Sequence, residues 1–177
     1  MKKQKIDTKR IAAVADKIKK GEIELPDLDL ESNDEWEAVW ALLDSGSSVH
    51  VVNMSKHLPG AKIRRAPRGA RGFQTADGKT IPDKGSAITP MRTVEGLERC
   101  VHWKNADVAL PILSTNLIAQ NNAELRYREK DGTIHHLDTG DTTDFIAASG
   151  VYFLKIYLPK DITKGKCKLP EGFVRQD

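Results

Sequence analysis

The 177 residues give room for one domain of ordinary size with some tails, and a hydrophobic content of 39% is enough for a real core. A net charge of +3 is too mild to force a nucleic-acid role, and no apolar run approaches the ~20 residues of a membrane span. Cys100 and Cys167 form no Cys-x-x-Cys, which fits free thiols in a reducing compartment. The Lys-rich start lacks the apolar core of a secretory signal, so the expected location is cytoplasmic, with no membrane partner.

Residues 1–20 read as a basic helix. Asp7 or Thr8 can cap it, Ile11, Val14, Ala15 and Ile18 make a narrow apolar stripe, and Lys19-Lys20-Gly21 is a stop signal. Its eight Lys and Arg face two acids, which suits a nucleic-acid or polyprotein-spacer arm but suits a solvated surface helix better. Residues 21–37 reverse the charge, with eight acids and no Lys or Arg. Pro26 and the alternation of Leu25, Leu28 and Leu30 make this an extended linker, able to fold back on basic surface. The domain boundary is expected near Trp36, which leaves 1–35 as basic helix and acidic linker, 36–158 as the domain and 159–177 as a basic tail.

Trp36, Val39, Trp40 and Leu43 fall at i, i+3, i+4 and i+7, which taken alone reads as an amphipathic helix running into Asp44. The chain then makes a tight polar turn, Asp44-Ser45-Gly46-Ser47-Ser48, and leaves it by an apolar exit, Val49-His50-Val51-Val52. The glycine permits a backbone closed to other residues, and small hydroxyls can bond the turn's own amides. An acid at the end of an apolar run sits where desolvation acts on it.

Residues 56–71 are a basic loop punctuated by Gly and Pro, and without interleaved aromatics its nucleic-acid signal is weak. Asp77-Gly78 between Phe73-Gln74-Thr75 and Thr80-Ile81 is a strong hairpin signal, and Gly85 then lets the strand bend. Further strands are expected over 89–108, with a turn at Glu95-Gly96. An apolar strand ending at Leu113 precedes a short helix, capped by Ser114 or Thr115 and running to about Asn121. More strands are expected over 122–158.

Asp138-Thr139-Gly140 repeats the acid-hydroxyl-glycine triplet, but His135-His136 replace the apolar approach and only 37 residues follow Gly140. A second lobe has no room, so Asp138 is expected on a surface loop. His50 close to Ser47 and Asp44 invites a Ser-His-Asp set, yet six residues of strand-turn-strand would not bring its ring to Asp44. The five histidines show no metal spacing, and no cofactor motif occurs.

The stretch Ala41-Leu42-Leu43-Asp44-Ser45-Gly46-Ser47-Ser48-Val49 resembles the active-site signature of retropepsin-type aspartic proteases. The hairpin pattern Thr75-Ala76-Asp77-Gly78-Lys79, with Ile81-Pro82 and Gly85 after it, looks like the flap of the Copia-type retrotransposon polyprotein proteases. Leu113-Ser114 in place of an apolar-Gly element, and Gly150-Val151-Tyr152-Phe153-Leu154, agree with the same group. The resemblance covers roughly Trp36 to Leu158. It implies a mainly β fold, a closed antiparallel acid-protease-like barrel with one short helix, beside the N-terminal basic helix. It makes Val39–Leu43 strand rather than helix. It also implies an aspartic endopeptidase acting on peptides or a polyprotein, with no cofactor. Asp44, Ser45 and Gly46 would be catalytic, and Ser47, Ala76, Asp77, Gly78 and Lys79 would bind substrate, Ala76–Lys79 as flap tip. Such hydrolysis needs two carboxylates sharing a proton around a water. One credible acid per chain therefore implies a homodimer, with Ser45 bonding across it. A domesticated, catalytically silent binding module with the same fold is the rival reading.

Overall fold

In the computed structural model, described for residues 4–28, 30–75, 78–162 and 167, the chain begins with a two-residue strand β1 (Gln4–Lys5) and helix α1 (Thr8–Lys19). Asp7 caps the helix by accepting the Arg10 amide. Gly21, at φ 76°, ends it with its amide on the Ile18 carbonyl, as a left-handed residue after a last turn does. Strand β2 (Trp36–Asp44) comes next, then β3 (His50–Val52), the one-turn helix α2 (Met54–His57), and a hairpin of β4 (Phe73–Gln74) and β5 (Thr80–Ile81). The long hairpin β6 (Ser86–Thr93) and β7 (Glu98–Asn105) leads to β8 (Ile112–Ser114) and helix α3 (Thr115–Gln120). Strands β9 (Ala123–Tyr127), β10 (Asp131–His136), β11 (Thr142–Ala148) and β12 (Val151–Pro159) complete the chain.

Six strands close on themselves in the order β2-β8-β3-β7-β6-β12, because β12 pairs with β2 over eight residue pairs from Tyr152↔Leu43 to Pro159↔Trp36. A closed barrel is there, but it is not purely antiparallel: β2 runs parallel to β8, and β3 runs parallel to β7. Two short helices, α2 and α3, accompany it rather than one. Strands β11, β10 and β9 extend the sheet outward from β12.

The helical spacing ahead of Asp44 is a coincidence of two strand faces. Val39, Ala41 and Leu43 enter one core cluster with Trp103, Leu154 and Ile156, while Trp40 and Leu42 face a second cluster with Val51, Ile112 and Phe153. A strand buried on both faces loses its period of two and reads as a continuous apolar run. Strand pairing with β8 and β12 then decides the conformation.

The second cluster includes Ile6, Ile11, Val14 and Ile23. Residues 4–28, set apart in the sequence as arm and linker, thus lie against the barrel. Burying each such aliphatic side chain contributes roughly 1.5–3 kcal/mol before ordering costs. Beyond Ile23, Trp40 Nε1 donates to the Pro26 carbonyl at 3.0 Å and Lys155 meets Glu31 at 2.6 Å. The basic tail falls mainly outside the described residues. Among the described residues no helix is long and apolar enough to cross a membrane.

Candidate active site

Asp44 is the last residue of β2 and is wholly buried. Its Oδ1 accepts the Gly46 amide at 2.9 Å, which closes the turn over the carboxylate. A Cβ on Gly46 would stand 3.2 Å from that same oxygen, so a larger residue would crowd the acid. Ser47 Oγ donates to the Val49 carbonyl at 2.6 Å, pinning the turn where it enters β3. Ser45 and Gly46 face solvent.

The turn is braced from β8, whose Ser114 sits opposite Asp44 in the parallel pairing. Ser114 is fully buried, its Oγ donates to the Ser47 carbonyl at 2.7 Å, and its amide donates to His50 Nδ1 at 3.0 Å. The same hydroxyl caps α3 by accepting the Leu117 amide. Within that helix, Asn116 Nδ2 donates to the Ser45 carbonyl at 3.2 Å. A glycine in place of Ser114 could supply the close approach but none of the side-chain bonds. His50 serves the brace as a neutral acceptor: burial lowers its pKa to about 4, and nearby His102 pushes the same way. Its edge-on packing with Trp103 fixes the ring. Its acceptor nitrogen is thus committed to the Ser114 amide rather than to Ser47 or Asp44.

No known protein family, curated protein or solved structure matches this chain.

Opposite the turn stands the β4–β5 hairpin, paired at Phe73↔Ile81 and Gln74↔Thr80. Gly78, at φ 81°, donates its amide to the Thr75 carbonyl, and Thr75 donates to the Lys79 carbonyl. Ala76 and Asp77 lie outside the described residues. Ser47, expected to meet substrate, is buried with its hydroxyl spent inside the turn. The neighbouring Ser48 faces an extended segment instead: its Oγ accepts the Lys5 amide at 2.9 Å, and its own amide donates to the Lys5 carbonyl at 3.0 Å.

That segment is β1, which runs parallel to β4 with Gln4 beside Phe73 and Lys5 beside Gln74. Ile6 donates its amide to the Gln74 carbonyl at 3.2 Å, and Gln4 Nε2 reaches Asp83 at 3.3 Å. Asp83 in turn lies 3.5 Å from the buried ammonium of Lys104. One turn into α1, Arg10 Nη1 donates to Asp44 Oδ1 at 3.1 Å. Asp44 Oδ2 is buried without a hydrogen-bond partner among the described residues. Open clefts of about 360 and 390 Å³ flank the segment, one lined by Arg10, Ser45, Thr115 and Tyr152, the other by Lys5, Ile6, Gly46 and Thr75.

Asp138 is exposed in the turn between β10 and β11 and belongs to no part of this site. Among the described residues no group of three or more His, Cys, Asp or Glu is placed to hold a metal. The sequence pointed to Asp44, its glycine and the hairpin. It did not point to Arg10, one cation among 28, nor to Ser48, whose partner is 43 residues away.

Proposed function

We propose that this chain is an aspartic endopeptidase of retropepsin type, hydrolysing peptide bonds in polyprotein processing. One observation carries the reading. A buried carboxylate ends a barrel strand and is closed over by a glycine amide, and the turn that follows it flanks, together with the β4–β5 hairpin, a strip of extended peptide backbone.

Such an arrangement is what peptide hydrolysis requires. An extended substrate lies between hairpin and turn, with its scissile carbonyl over the carboxylate. A water held between two carboxylates gives its proton to the ionised one as its oxygen attacks the carbonyl carbon. The protonated partner donates to the carbonyl oxygen, giving a tetrahedral diol. Proton transfer to the amide nitrogen then lets the C–N bond break. One chain supplies one such acid, so the active form is a homodimer with an Asp44 from each subunit. Ser45, exposed beside it, would bond across that axis. Asp44→Asn keeps the shape and removes the base, so cleavage of a peptide library should be lost while the fold remains.

A second reading has its own support. Asp44 is sealed from solvent and paired with Arg10, as suits a catalytically silent binding module of the same fold. An Asp44→Asn chain that keeps a peptide-binding function, beside a wild-type chain that never cleaves, would favour it.

A further inference from the structure

The backbone of Gln4–Ile6 is held on both edges. Lys5 exchanges two bonds with Ser48 through its amide and carbonyl, and Ile6, pointing the other way, donates to Gln74. Successive amides of a strand point to opposite sides, so a two-edged grip of this kind holds any extended chain whatever its side chains. Selectivity comes from the buried Ile6, which shares its cluster with Val49, Phe73 and Ile112. Four residues on, Arg10 covers Asp44. The Arg10 side chain is about half exposed, 45%, whereas the carboxylate it meets is fully buried, so neither a water nor a second carboxylate reaches that carboxylate while the segment stays.

We propose that the space between Gln74 and Ser48 is a groove for an extended peptide bearing a branched aliphatic side chain, and that Gln4–Arg10 is its resident, inhibitory occupant. The term inhibitory rests on the protease reading; the groove's ability to take a peptide in trans does not. In this arrangement the basic segment must leave before substrate enters, and its departure also uncovers the place a second Asp44 has to occupy. Dimer assembly and substrate entry are therefore gated by the same strand and helix.

The test uses the full chain and a fluorescent peptide with the sequence of residues 1–20. In the wild-type chain the groove is filled and the peptide does not bind. Ile6→Asp places a charge in the apolar cluster and evicts the resident strand, so this chain should bind the peptide saturably. A peptide that itself carries Ile6→Asp should bind at least about tenfold more weakly. A folded Ile6→Asp chain that ignores the peptide, or that binds both peptides equally, overturns the proposal. Should Ile6→Asp fail to fold, hydrogen exchange of the wild-type chain decides. The Lys5, Ile6 and Ser48 amides should be protected and open together, and free-chain exchange at Lys5 and Ile6 overturns the groove. Saturable, Ile6-dependent binding without any cleavage, by any variant, supports the groove and removes only the protease reading.

Discussion

Two acid-hydroxyl-glycine triplets sit in this chain, and their surroundings have almost nothing in common. Asp138-Thr139-Gly140 forms a self-contained hairpin turn. Gly140 donates to the His136 carbonyl at 2.7 Å, Asp141 to Thr139 Oγ1 at 3.3 Å, and Gly140 takes φ 76° to make the reversal. Asp44-Ser45-Gly46 is held by residues far away in the chain: Ser114 and Asn116 from one side, Arg10 from the other, at separations of 67, 71 and 34 residues. The first turn would form in a short hairpin by itself. The second exists only when the barrel is closed, and that is what buries its carboxylate. A triplet acquires chemical potential from the strands that deliver and brace it.

The contrast is most exposed by pH. His50, behind the Asp44 turn, is fully buried, and its pKa falls to about 4 from 6.5. Its unfolded form therefore binds protons that the folded form refuses. Stability is fully present above pH 6.5 and is lost as pH falls through 4, by about 3 kcal/mol for this residue. His57, lowered to about 4 by burial and by Lys56, adds to the same slope. His136, beside the Asp138 turn, shifts in the same direction, but it is more open and faces Asp138, Asp141 and Glu95, which oppose the shift. Urea midpoints at pH 7 and 4.5 should show a steep loss in wild type, a clearly smaller loss in His50→Gln and a loss only slightly smaller than the wild type's in His136→Gln. Equal slopes in all three would break the contrast.

Ser114→Ala comes next. It strips the buried Ser47 carbonyl of its partner and leaves the half-buried Leu117 amide uncapped, a loss of about 1–3 kcal/mol. Thr139→Ala, in the exposed turn, should stay within about 0.5 kcal/mol. Denaturant melts of the two variants read this directly. The smallest effect is in the glycines. Gly140→Ala meets no neighbour but must hold a positive φ, at about 1 kcal/mol. Gly46→Ala has no such backbone demand and only crowds the Asp44 oxygen, so it should cost less stability than Gly140→Ala while impairing cleavage.

Legibility in the sequence divides along the same line. The Asp-Gly hairpin, the Ser114 cap, the α1 stop at Gly21 and the surface position of Asp138 depend on neighbours within a few residues, and each was legible. The strand at Val39–Leu43 was legible from the apolar run that ends in the polar turn and from the resemblance, against the helical period that its two buried faces imitate. The seat of β1 was not legible at all. Gln4-Lys5 has neither alternation nor β-branched residues, and its partners Ser48 and Gln74 are supplied by other parts of the fold. The acidic linker is, by its charge, the segment able to fold back on basic surface. It does so through Glu31, but the basic segment before it is the one that lies over Asp44.

The central claim, that Asp44 supplies half of a shared catalytic site, is tested most directly by cleavage of a mixed peptide library at pH 6, above most of the window in which His50 destabilises the fold. Three chains are compared over a range of concentrations, all with Ile6→Asp to vacate the groove and Arg10→Ala to uncover the carboxylate: one otherwise unchanged, one with Asp44→Asn and one with Asp138→Asn. The account predicts specific activity that rises with concentration as dimers form, a loss of at least about a hundredfold in Asp44→Asn, and no change in Asp138→Asn. Undiminished cleavage by Asp44→Asn, or specific activity that stays flat on dilution, would contradict it.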